Sequence, residues 1–207
     1  MTLEAWALFC LTEFVLCLNP GPSTLLVISL AMTRGQLAGI SATTGVLAAN
    51  GLYFAVSATG LVVALGQSPE TFAAIRWLGA AYLIFTGARM IARSFRSPDE
   101  ASAATSPSKG GRAFWQGFVA QAANPNLLVY FTAILPQFVD ARAPLVPQVA
   151  VLALSSFAIE FAVLSVYAAL SHRAARRAAP SFRRGVTRIA GLLLIAAGAG
   201  LAALGRD

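Results

Sequence analysis

The chain has 207 residues, of which 57% are hydrophobic and only 11% charged, and its mean hydropathy is +0.72. Soluble domains carry roughly 25% charged residues, so this composition excludes an ordinary water-soluble fold and indicates a polytopic membrane protein. The formal charge of +7 and a pI near 10.4 could suggest nucleic acid, but the basic residues sit at the ends of apolar runs rather than on one face, and no nucleic-acid partner is expected.

Six runs reach the ~20 apolar residues that cross a bilayer: 5–32, 37–65, 71–92, 113–135, 146–171 and 186–204. If the N-terminus is outside, the inner loops hold 12 of the 15 basic residues, and only Arg76, Arg142 and Arg206 stay outside. By the positive-inside rule both termini then face away from the cytoplasm. The start Met-Thr-Leu-Glu lacks a basic n-region and the following run is too long for an h-region, so the first span is expected to remain uncleaved.

The first span is interrupted at mid-depth by Asn19-Pro20-Gly21-Pro22. Pro20 has no N–H for the carbonyl of Leu16 and Pro22 none for that of Leu18, while Gly21 accepts backbone angles that other residues resist. In hydrocarbon such freed groups survive only if packed in protein or lining a wet cavity, which makes the break the place for a ligand. Ser23 and Thr24 then open a half-helix whose first N–H groups lack partners and whose dipole welcomes an anion. Glu13 lies about two turns before the break; it is either a functional carboxylate or a group reaching the outer interface. Cys10 and Cys17 lie about 10 Å apart along one helix and cannot pair; they read as small buried hydrophobes.

Span 2 carries a small-residue surface, Gly39, Gly45 and Gly51 with Ala42, Ala48 and Ala49, suited to close helix contact. Asn50 near its middle either ties helices together or lines the cavity. Gly66 to Glu70 reads as a tight outer turn with Ser68 as N-cap and Pro69 at the first helical position. Span 3 offers Gly79, Ala80, Ala81 and Gly87 for packing and Trp77 as an interfacial anchor. Residues 96–112, rich in Ser, Ala, Pro and Gly, form a linker that divides the chain into a first unit, 1–95, and a second, 113–207.

Span 4 repeats the opening theme: Asn124-Pro125-Asn126 interrupts it, freeing the carbonyl of Gln121, with Asn126 placed to cap the following half-helix and Pro136 to end it. Span 5 holds Glu160 at mid-membrane, where an ionisable group is by default a functional hypothesis, the alternative being a neutral carboxyl bonded to nearby backbone. His172, beside Arg173 at the membrane edge, reads as solvated or facing headgroups, so lipid is an expected partner. Span 6 brings Gly191, Gly198 and Gly200.

Asn19-Pro20 and Asn124-Pro125 are 105 residues apart, and Arg76-x-x-Gly79 and Arg188-x-x-Gly191 are 112 apart. Three spans per half force the second half to enter the membrane upside down. The expected fold is therefore an all-α membrane protein of six transmembrane helices in two inverted three-helix repeats, with spans 1 and 4 broken at mid-membrane. Both half-helix N-termini would converge on the midplane, a setting suited to a carboxylate.

At these residues the chain resembles the LysE/RhtB family of bacterial amino-acid exporters. The shared features are Asn19-Pro20-Gly21-Pro22, Gly35 with Gly39 and Gly45, Gly79-Ala80-Ala81-Tyr82-Leu83 with Gly87, Asn124-Pro125-Asn126, Leu135-Pro136-Gln137-Phe138, Glu160 where the family usually shows an acidic residue, and Arg188-x-x-Gly191. Asn126 stands where family members often carry Lys. The resemblance implies export of amino acids or related small metabolites across the bacterial inner membrane, driven by the proton gradient. The residues read above from the two breaks and the intramembrane polar groups, Asn19, Pro20, Gly21, Pro22, Ser23, Asn50, Asn124, Pro125, Asn126 and Glu160, are the expected substrate site, with proton coupling expected at Glu160 and Glu13.

Two other classes compare poorly. A metal or inorganic ion exporter would want clustered carboxylates, His or Cys at mid-membrane, whereas Glu160 is expected to stand alone with Glu13 shallower. A thiol-redox conduit of the CcdA type would want one cysteine in each half, and both lie in span 1. One His with no nearby nucleophile gives no hydrolytic constellation, so no enzyme activity, cofactor or metal is expected. The substrate's side-chain class is not fixed by the sequence, and oligomeric state is open, a homodimer among the options.

Overall fold

A computed structural model describes residues 1–58, 69–95, 111–124, 126–127, 130–140 and 142–203. Among these residues the chain is all-helical, with no strand: α1 Leu3–Leu18, α2 Pro22–Arg34, α3 Gln36–Ala58, α4 Pro69–Ser94, α5 Gly111–Ala122, α6 Leu145–Arg177 and α7 Pro180–Ala203. The expected turn residues Gly66 to Ser68, the linker from 96 to 110, and Pro125 lie outside the described residues.

Thr2 caps α1, its hydroxyl accepting the N–H of Ala5 at 3.2 Å. Pro20 and Pro22 then end the helix, and α2 leaves at 56° to it. The freed carbonyls are accounted for: Leu16 accepts Asn19 N–H at 3.1 Å, and Leu18 accepts the Tyr167 hydroxyl of α6 at 3.1 Å. The turn from α2 into α3 is made at Gly35, whose φ of +96° lies in the region that L side chains avoid.

Length and hydropathy qualify α3 and α6 to cross a membrane, and the bent pair α1–α2 counts as a third span. With its 33 residues α6 is about 50 Å long, well beyond the ~30 Å of bilayer hydrocarbon, so its end with Arg173, Arg176 and Arg177 projects into water. Large apolar side chains cover its outside, including Leu154, Phe161, Val166 and Leu170, and α1 exposes Leu8, Leu11, Phe14 and Val15 in the same way. Such surfaces suit lipid.

Packing follows the small residues. α3 lies against α5 and α6, α4 against α7, and α1 and α2 against α6. A Cβ on Gly45 would collide with the backbone carbonyl of Phe114, and one on Gly117 with that of Ala42, so α3 and α5 touch backbone to backbone. Gly45→Ala and Gly117→Ala should each destabilise the protein by about 1–3 kcal/mol, because a backbone atom cannot move aside as a flexible side chain can. Thermal unfolding in detergent measures this, and wild-type melting of both variants would contradict the contact. On the other pair Gly87 and Gly191 face one another's carbonyls, while the Arg188 guanidinium donates to Ser94 Oγ at 3.0 Å and stacks 4.1 Å over the Phe95 ring.

Two apolar clusters form the core around α1, α2, α3, α5 and α6. One contains Phe9, Phe54, Leu127, Phe131, Leu135, Val149 and Leu152; the other contains Leu26, Val27, Leu30, Ala31, Ala42, Ala113, Ala120 and Ala168. Every span that contributes to both has its polar residues between them: the break of α1–α2, Asn50 on α3, Gln121 at the end of α5 and Glu160 on α6.

The segment after Asn124 departs from the expected half-helix. Asn126 does not cap it; Asn124 does, its Oδ1 accepting Asn126 N–H at 3.1 Å. The chain then runs through a π-helical turn, Tyr130–Ile134, into a 3₁₀ turn, Leu135–Phe138. Pro136 offers no N–H to the carbonyl of Thr132, so an α-helix cannot pass through this point.

Candidate functional site

The polar residues left between the two apolar clusters form one hydrogen-bonded chain across four helices. Ser23 Oγ at the start of α2 donates to Gln121 Oε1 at 2.6 Å; Gln121 Nε2 at the end of α5 donates to Asn50 Oδ1 on α3 at 2.8 Å; and Asn50 Nδ2 donates to Glu160 Oε2 on α6 at 2.5 Å. Asn124 Nδ2 adds a weaker bond to Gln121 Oε1 at 3.4 Å. Ser23, Asn50, Gln121, Asn124 and Glu160 are all buried. Each donor points toward the carboxyl, the only group of the chain that can carry charge, so the bond directions follow from Glu160 being the terminal acceptor.

The break in the second half is tied to the same place. Tyr53, one turn after Asn50 on α3, donates its hydroxyl to the Ala122 carbonyl at 3.1 Å. The first break contributes its helix end: α2 begins at Gly21 with no side chain capping it, with Pro22 in the first turn and Ser23 in the polar chain. The first N–H groups of a helix begun in this way lack intrahelical partners, and with the helix dipole they suit a carboxylate.

Of the residues expected in the site, Ser23, Asn50, Asn124 and Glu160 are brought together, and Gly21 and Pro22 border them as the half-buried end of α2. Asn19 and Pro20 are exposed on the outside of the bend, and Asn126 is exposed beyond the second break. Glu13 does not reach an interface: it is only 5% exposed, and its Oε1 accepts from Ser156 Oγ at 2.5 Å. Ser156 precedes Glu160 by one turn of α6, so Glu160 does not stand alone: Glu13 of α1 docks one turn away along the same face of α6.

Gln121, the node that accepts from two residues and donates to a third, was not among the residues expected there. Its signal is a lone amide one turn before an Asn-Pro break in an apolar run. Gln121→Leu should destabilise the protein by about 1–3 kcal/mol for each buried partner it orphans, Asn50 Oδ1 and Ser23 Oγ, measurable by unfolding in detergent. Gln121→Glu returns the acceptor to Ser23 but not the donor to Asn50, so it should recover only part of the loss.

A bundle of apolar helices with a broken span and a buried polar chain ending in one carboxylate is the make-up of an integral membrane protein. The chain belongs to the LysE type translocator family, whose model matches residues 14–205. These are transporters rather than enzymes. It is 28% identical over 203 residues to a homoserine/homoserine lactone efflux protein of Salmonella typhimurium, covering 98% of each chain. It is also 28% identical over 127 residues to a leucine efflux protein of Salmonella choleraesuis, covering 61% of this chain and 59% of that one. An uncharacterized membrane protein of Vibrio cholerae shares 27% identity over 176 residues, 85% of each chain. No solved structure matches the chain.

Proposed function

We propose that this translocator exports amino acids or closely related small metabolites across the bacterial inner membrane by proton antiport, and that Glu160 is where substrate and proton compete. The observation that carries the reading is the chain from Ser23 through Gln121 and Asn50 to Glu160, which joins the uncapped end of α2 to a buried carboxyl. An α-amino acid carries an ammonium and a carboxylate, and the two ends of this polar chain offer a pole of opposite sign to each. The α2 N–H groups take the carboxylate, and Glu160 takes the ammonium.

The substrates named for the relatives support giving Glu160 the larger share. Homoserine, homoserine lactone and leucine all carry an α-amino group, while the lactone has no free carboxylate. An ammonium pairs with an ionised Glu160, whereas a proton neutralises it, so the two cannot occupy the carboxyl together. Mutual exclusion at one group is what antiport requires.

The same reading takes the fold as six spans in two inverted repeats, with residues 96–112 linking 1–95 to 113–207. Gly87 on α4 and Gly191 on α7 lie against one another's carbonyls, so spans 3 and 6 touch backbone to backbone. Both termini are then outside. An alkaline phosphatase fused after residue 207 should be active and a cytoplasmic reporter at the same point inactive; the opposite pattern contradicts six spans.

The export reading is tested by growth of cells overexpressing the gene on toxic concentrations of single amino acids and their analogues. Raised tolerance to amino acids with uncharged side chains is expected. Unchanged tolerance to every compound carrying an α-amino group, with the protein present in the membrane, would overturn it.

A further inference from the structure

The exporter reading uses Glu160 and leaves a second buried carboxyl without a role. Glu13 is 95% buried on α1, on the opposite side of the first break from the α2 end. Ser156 Oγ satisfies its Oε1, but its Oε2 is buried without any hydrogen-bond partner. Beside it lies Tyr130 in the π-helical turn, whose buried hydroxyl is in electrostatic contact with Glu13 without a well-formed hydrogen bond. Two orphaned polar atoms side by side in an apolar surrounding are a standing energetic liability, since each unsatisfied buried group is costly. A proton on Glu13 removes a buried charge that has no cation beside it and lets Oε2 donate to the Tyr130 oxygen.

We propose that Glu13 is a second proton-holding site, bracketed by Ser156 and Tyr130, that supplies Glu160 from the N-terminal side of the bundle. Among the described residues, the titratable groups in electrostatic contact with Glu13 are Cys17 on its own helix, Tyr130, and Glu160 on α6. None of these is a cation, so two ionised carboxylates here would have no counter-charge, and a proton is the guest that relieves them. Four residues separate Ser156 from Glu160, an axial rise of about 6 Å, so Glu13 and Glu160 occupy successive turns of one face. When a substrate ammonium leaves Glu160, the O–H bond of Glu13 breaks and an O–H bond forms on the Glu160 carboxylate. Glu13 is then recharged from the side of the membrane that the N-terminus faces. Because this step deepens the antiport reading, its test needs a readout that does not depend on transport.

Infrared difference spectroscopy of the protein in lipid vesicles, stepped through pH, supplies one, since a protonated buried carboxyl has its own C=O stretch. The wild type should show a titrating band that Glu13→Gln removes and another that Glu160→Gln removes. Tyr130→Phe, which keeps the ring and deletes the hydroxyl, should shift the Glu13 band without abolishing it and guards against a Glu13→Gln variant that fails to fold. In pH-gradient-driven transport Glu13→Gln should lose about tenfold or more, within the range over which a positioned proton-transfer group acts. A spectrum in which neither Glu13→Gln nor Tyr130→Phe changes any titrating band overturns the proposal, as does a Glu13-dependent band that responds to sodium and not to pH. Added leucine or homoserine separates the two readings: if the Glu13 band titrates while neither amino acid disturbs the Glu160 band, the second proton site stands and the substrate site at Glu160 falls.

Discussion

Glu160→Gln should bring net export in a pH gradient to the background level. The substituted amide can still accept the Asn50 Nδ2 hydrogen bond through its oxygen, so the chain from Ser23 to position 160 is kept and the protein should insert and fold. What disappears is the charge that an ammonium needs and the oxygen that a proton needs. A hydrogen bond to a charged partner contributes about 1.5–3 kcal/mol, so amino-acid affinity should fall by roughly 10- to 150-fold. Glu160→Ala goes further, because it also leaves Asn50 Nδ2 buried without an acceptor and should lower stability by about 1–3 kcal/mol. Binding of a labelled amino acid to purified protein, with unfolding curves in parallel, distinguishes the two variants. Equal affinity in wild type and Glu160→Gln would remove the carboxyl from the binding site.

The second large effect is expected from Pro20→Ala combined with Pro22→Ala. With both N–H groups restored, α1 and α2 can join into one hydrogen-bonded helix, and bilayers tolerate a continuous span well. Joining removes the 56° bend, takes the free N–H groups from the start of α2 and pulls Ser23 from Gln121. The double variant should be present in the membrane at wild-type levels and transport nothing. Wild-type export by it would mean that the broken helix has no part in the site.

How far the sequence carried the reading depends on whether local chemistry or helix rotation decides a feature. The two breaks were legible because proline removes a hydrogen bond wherever its neighbours are, and Gly35 is local in the same sense. That Asn50 and Glu160 lie buried within apolar helices long enough to span was legible from the runs around them. Which groups they meet was not, because partners are set by how each helix turns about its axis, and that is decided by contacts such as Gly45 on Phe114 and Gly117 on Ala42. Gln121 was overlooked for that reason: counting along the chain marks its carbonyl as freed by Pro125, but not its side chain as the node between Ser23 and Asn50. That Glu13 meets Ser156, one turn from Glu160, depends on α1 lying along α6 and was not legible from residue count. Asn126 followed from the habit of capping a helix after the proline, while the cap is made by Asn124 in front of it.

The most direct test of the central claim is uptake of a labelled amino acid into inside-out membrane vesicles whose interior is made acidic relative to the bath. Wild-type vesicles should accumulate the amino acid and release it when the gradient is collapsed, and vesicles bearing Glu160→Gln should accumulate none at any pH. Gradient-driven accumulation in the Glu160→Gln vesicles with wild-type pH dependence would contradict the account.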